Sequence, residues 1–122
     1  MNSPREVATA ISGHRFRDAY AALSPDVRWV SVGEGELTGR QAVVDACEAA
    51  LVALSAGTAE FLRFVVIADD EAVAVDSVAR YADADGTTSL VSSCDVFEFR
   101  DGLLTAVRSY AVELRAERGT AD

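Results

Sequence analysis

Apolar positions follow two rhythms along this chain. In the first half they recur at three- and four-residue spacing around a single alternating stretch. In the second half they alternate, first inside and then outside. "SPRE" at residues 3–6 opens the first helix: Ser3 can cap, Pro4 suits the first helical position, and Glu6 can reach back in a capping box. "VATAIS" continues it and Gly13 can end it. "HRFRDAYAAL" sets Phe16, Ala19, Tyr20 and Leu23 on one helical face, and "SP" at 24–25 closes that segment. "DVRWVSV", residues 26–32, alternates as a strand. "GEGELTG" reads as a flexible acidic loop. Thr38 or Gly39 then opens a third helix, "RQAVVDACEAALVAL", closed by "SAG".

Four strand-like runs follow: "AEFLRFVVIA", "EAVAVDSVARYA", "TTSLVSSCDVFEF" and "LLTAVRSYAVEL". The turns between them are "DDE", "DADG" and "RDG", so the runs predict an antiparallel meander. The polar end, "RAERGTAD", reads as a frayed tail over residues 115–122. A long curved sheet must bury one face, and three helices cover it in part. The expected fold is α+β: a cone-shaped, curved antiparallel sheet with three helices on its concave face, with an apolar cavity at the open end.

Composition narrows the partners. The chain has 122 residues, enough for one domain spanning 1–122, and half of them are hydrophobic. No run approaches the length of a membrane span, and the start carries no signal pattern, so a soluble cytoplasmic protein is expected. The net charge is −9, with the acids scattered and no basic surface of the kind nucleic acid requires. The Ala-, Arg- and Val-rich, lysine-free composition points to a GC-rich bacterial gene. Cys47 and Cys94 lack metal spacing and read as small buried hydrophobes. No cluster indicates a metal and no fingerprint indicates a cofactor, so any chemistry is expected to be cofactor-free acid–base work.

The candidate site starts from Asp95, a carboxylate within "SSCDVFEFRDG". Strand parity groups Val91, Ser93, Asp95, Phe97 and Phe99 on one face. An acid among these residues would lose hydration, which favours its neutral form and lets it donate a proton or a hydrogen bond. The alternative places Asp95 at the sheet rim or on a turn. Ser31, Ser93 and Ser109 are candidate polar contacts, or simply small strand residues. Trp29 either stacks on a ring-bearing ligand or fills the core, and Tyr20 either reaches the cavity or stays in the core with its hydroxyl bonded. Phe97 and Val107 complete the candidate lining. Glu34 and Glu36 sit in the loop expected at the cavity mouth. Asp76 and Arg80 share a parity and read as a structural pair, with each other or with a neighbouring subunit.

Three stretches carry a family likeness: "HRFRDAYAALSPDVRWV", "LTGRQAVVDA" and, most specific, "CDVFEFRDGLLTAVRSYAVE". Over roughly residues 5–114 the chain resembles the NTF2-like superfamily, and within it the SnoaL-like polyketide cyclases and ketosteroid isomerases. In the isomerases, an aspartic acid kept neutral by its apolar site donates a hydrogen bond to the developing oxyanion, and its position falls at Asp95. The aspartate base falls at or next to Ser31 and the helix tyrosine near Val7, so one of three functional positions is retained. Against the related epoxide hydrolases, Asp76 matches one acid, the arginine falls at Ala74 and the second acid at Ser109. Many SnoaL-like cyclases use an Asp/His pair. The lone histidine here, His14, lies near the first helix break and reads as a helix-end residue instead. The resemblance implies a homodimer through the outer sheet face. It also implies a hydrophobic, ring-containing small molecule in the cone pocket, with cyclisation, isomerisation or dehydration by acid–base chemistry at Asp95. The alternative is a non-catalytic ligand carrier or dimerisation module.

Overall fold

The computed structural model describes residues 2–114. The tail read as frayed lies outside the described residues. The elements run α1 (Pro4–Ser12), a 3₁₀ turn η1 (Phe16–Ala22), β1 (Leu23–Ser31), β2 (Gly35–Thr38), α2 (Arg40–Ser55), β3 (Thr58–Ala68), β4 (Ala72–Ala82), β5 (Thr88–Arg100) and β6 (Leu103–Leu114). The sheet order is β2-β1-β6-β5-β4-β3.

The first helix forms for the reasons its sequence gives. Glu6 N donates to Ser3 Oγ at 3.2 Å and Ser3 N donates to Glu6 Oε1 at 2.8 Å, a complete capping box. Its end differs from expectation. Gly13 keeps a negative φ, and the left-handed turn falls on His14, with φ 69°. The segment expected as a second α-helix is 3₁₀. That geometry rises about 2.0 Å per residue against about 1.5 Å for α, so seven residues reach further towards β1. Phe16 and Ala19 are buried from it, and Leu23 at the start of β1 is buried beside them.

The sheet is mixed rather than antiparallel. β3 to β6 form the expected meander, but β1 lies parallel to β6, pairing Trp29 with Val107 and Ser31 with Ser109. The expected acidic loop contains a short strand: β2 pairs antiparallel with β1, placing Leu37 opposite Trp29. Four residues with one acid carry too little alternation to show as a strand, and β1 supplies the hydrogen bonds that hold it.

The hairpin between β5 and β6 turns on Asp101 and Gly102, both with positive φ, which suits the twist of a two-residue hairpin. A bulge between Glu98 and Phe99 shifts the register, so that Phe97 faces Val107 and Asp95 faces Ser109. The helices cover the inner face of the sheet. α1 lies against β3, β4 and β5, and α2 mainly against β1, with contacts to β2 and β3. Between them sit Val7, Val27, Val43, Val75, Phe97 and Val107, essentially without solvent exposure.

The outer face carries Arg63, Asp76, Arg80 and Glu60. Asp76 and Arg80 do not pair with each other: Arg63 binds Asp76 at 2.9 Å and Arg80 binds Glu60 at 3.2 Å, each across β3 and β4. These are exposed pairs worth about 0–1 kcal/mol each. Cys47 is buried as expected, whereas Cys94 is only half-buried; both are free thiols.

Candidate active site

α1, the turn after it and the inner faces of β3 to β5 bring a set of polar side chains together at one end of the core. Asp95 projects from β5 beside Ser93, and Ser77 on β4 is paired with Ser93. Ser12, at the end of α1, donates from Oγ to Asp95 Oδ2 at 2.8 Å. Asp95 therefore lines an inner chamber instead of the sheet rim, with one carboxylate oxygen engaged. Tyr81, at the far end of β4, shares a hydrogen bond with His14 Nε2 at 3.2 Å, and its direction follows the imidazole tautomer.

His14 is the residue whose place in this group the sequence did not reveal. It ends a helix, as expected, but its left-handed backbone turns the ring into the chamber. A non-glycine residue in that conformation carries roughly 1–2 kcal/mol of local strain. Arg15 N donates to Ala10 O at 2.7 Å and His14 N to Ile11 O at 3.1 Å, and these bonds hold the turn. The ring lies among aromatics, with centroids 5.2 Å from Phe61, 5.8 Å from Tyr81 and 5.9 Å from Phe16. Burial among them lowers the imidazole pKa, and the nearby Asp95 charge offsets part of that effect. Burial, with a smaller contribution from Asp95, raises the Tyr81 phenol. These directions favour a neutral imidazole, which can take a proton, and a phenol that keeps its own and can donate it in a hydrogen bond.

This polar chamber has a volume of about 160 Å³. A second chamber of about 210 Å³ lies beneath α2, lined by Leu37, Val43, Ala46 and Cys47, with Ser31 as its one hydroxyl. Phe16 and Trp29 border both. Trp29 Nε1 donates to Ser109 Oγ at 3.2 Å, which fixes the indole at this shared wall.

The other sequence candidates are distributed as follows. Ser93 and Trp29 line the chamber with Asp95, and Ser31 lines the other one. Ser109 acts on the wall through Trp29. Phe97 and Val107 are wholly buried in the core and border neither chamber. Tyr20 packs against the core and donates to Glu48 Oε2 at 2.7 Å. Arg17 binds the same carboxylate, and hydrogen bonds from Arg17 and Tyr20 hold Glu48 down to about 2. Of the two loop acids, Glu36 pairs with Arg28 on the face of β2 away from Leu37, and Glu34 is exposed in the turn. Among the described residues, no group of His, Cys, Asp and Glu side chains gathers as a metal site.

The six-stranded mixed sheet, with helices over one face and a split cavity between, defines the NTF2-like class of fold. The chain belongs to the SnoaL-like domain family, whose family model matches residues 5–107. Solved structures agree with this architecture. An NTF2-like protein of unknown function from Cytophaga hutchinsonii is 24% identical, with a TM-score of 0.76 over 87% of this chain and 93% of that one. A candidate polyketide cyclase from Xanthomonas campestris is 22% identical, with a TM-score of 0.65 over 88% and 92%. An LEH-like epoxide hydrolase from M. tuberculosis is 22% identical, with a TM-score of 0.64 over 84% and 74%. No curated protein matches the chain. No helix among the described residues is long and apolar enough to cross a membrane.

Proposed function

We propose that the protein binds a hydrophobic, ring-containing small molecule in the inner chambers and moves a proton on it without a cofactor, in the manner of a cyclase or isomerase. One observation carries this reading: Asp95, His14 and Tyr81 converge on a single chamber with aromatic walls. In that chamber a substrate carbonyl would accept a hydrogen bond from Tyr81. His14, neutral and strained into place, would take a proton from the adjacent carbon. His14 would return that proton to the product, and Asp95 would stabilise the imidazolium that forms in between. Ser12, Ser77 and Ser93 would orient the polar end. The names of the cyclase and epoxide hydrolase neighbours agree with acid–base chemistry in this fold. The lysine-free, Ala- and Arg-rich composition supports a bacterial source.

Exchange of the α-protons of cyclohexanone in D₂O, followed by NMR, tests the chemistry. The native protein should speed exchange, and Asp95→Asn and His14→Gln should each reduce the enzyme-catalysed rate by about a hundredfold or more. Bound ketone exchanging only at the background rate would overturn the enzyme reading.

The second reading is a ligand-binding or dimerisation module. It draws on the two positions, at or next to Ser31 and near Val7, where the resemblance puts the isomerases' base and tyrosine and this chain has neither, and on the outer sheet face. Val65, Ile67, Tyr110 and Val112 are exposed there, and apolar surface of this kind marks interaction sites. On either reading we expect a homodimer through that face. Sedimentation should give twice the monomer mass, and Ile67→Glu should return the protein to a monomer.

A further inference from the structure

We propose that the two chambers form one bipartite site, and that the substrate is an amphiphile. Its carbonyl-bearing head, about one ring in size, would lie with Asp95, and its apolar tail of about six carbons would pass Trp29 into the chamber under α2. This inference rests on the proposed binding of a carbonyl compound beside Asp95.

The chambers divide by chemistry. Ser12, His14, Ser77, Tyr81, Ser93 and Asp95 make the first one polar. Leu37, Val43, Ala46, Cys47 and Ala50 make the second almost wholly apolar. Ser12 and Asp95, and Tyr81 and His14, are bonded to each other, but an extended apolar group in the first would still strip water from the remaining polar atoms of Asp95, Ser77 and Ser93, and burying a polar head in the second would cost its hydration. Size leads the same way. An apolar cavity of about 150 Å³ takes one benzene, and the chambers measure about 160 Å³ and 210 Å³. Neither alone reaches the roughly 300 Å³ at which ligand pockets begin, and joined they enter that range. The chambers are neighbours, with the Phe16 and Trp29 rings bordering both, so a tail that passes these rings would join them. The Trp29 bond to Ser109 sets the indole at the junction, which makes Trp29 the residue that measures the tail.

The test is a series of cyclohexanones carrying no tail, ethyl, butyl, hexyl or decyl at carbon 4, read by calorimetry and ¹H–¹⁵N NMR. Full burial of a methylene strengthens binding by about fourfold, so roughly tenfold or more is expected from ethyl to hexyl, with no further gain at decyl. Cyclohexanone should move the signals of Ser77, Ser93 and Asp95, and the tailed compounds should also move Val43, Ala46 and Ala50. Ala46→Leu or Ala50→Leu should collapse the ratio of hexyl to parent affinity. Val52→Ser, on the solvent side of the same helix, should preserve that ratio. If cyclohexanone binds beside Asp95 but tails add nothing, the bipartite site is overturned and the proposed function stands. Tails that bind under α2 with the Asp95 signals unmoved, or no binding by any member, would overturn both.

Discussion

The phenol of Tyr81 meets Nε2 of His14 at 3.2 Å, across 67 residues of sequence. The contact ties the turn after α1 to the end of β4 and holds the imidazole in the lining of the Asp95 chamber. Both groups are shifted towards their neutral forms by burial.

Stability should therefore fall as pH drops below about 6.5, the ordinary value for histidine. With a lowered pKa in the folded state, the unfolded chain binds a proton first, so stability rises with pH in the window below 6.5. The loss stops growing once the folded imidazole is also protonated. Urea denaturation at pH 7.5 and 5.5 checks this. The difference between native protein and His14→Gln should change across the window, because the two proteins share every other ionisable group. A constant difference would show that His14 is not held neutral.

The strained backbone at His14 separates stability from function. His14→Gly should fold about 1 kcal/mol more stably than His14→Ala, because glycine takes φ 69° without a Cβ clash. Both variants lack the imidazole, so both should lose proton exchange on cyclohexanone. Chemical denaturation of the pair gives the comparison directly.

The only tryptophan in the chain stands between the two chambers. Its fluorescence should respond to ligand from either side. Ser109→Ala removes the indole's partner at a cost of about 1 kcal/mol, and should shift the emission and weaken discrimination by tail length. An unchanged emission spectrum would mean that the hydrogen bond does not hold the ring.

Phe97 provides the contrast. It is wholly buried and borders neither chamber. Phe97→Ala should cost about 3–5 kcal/mol. Phe97→Leu should lower the melting temperature while changing cyclohexanone affinity by less than about twofold, since a hydrophobic swap of similar size is absorbed by repacking. A large loss of affinity in a folded Phe97→Leu protein would place the ring in contact with ligand.

Local rules in the sequence determined much of this protein. The capping box at Ser3, the long α2, the meander with its turns, and the inward parity of Ser93 and Asp95 follow from neighbours a few residues apart. What depends on distant partners was decided only in three dimensions. β2 exists because β1 pairs with it, and β1 runs parallel to β6 across some eighty residues. A two-residue turn alone would set Arg108 opposite Asp95; the bulge at Glu98–Phe99 sets Ser109 there instead. His14 looks like an ordinary helix end in the sequence. It reaches the chamber because a left-handed turn, hydrogen bonds back to α1 and a tyrosine on β4 meet at one point, and no local pattern encodes a meeting of that kind.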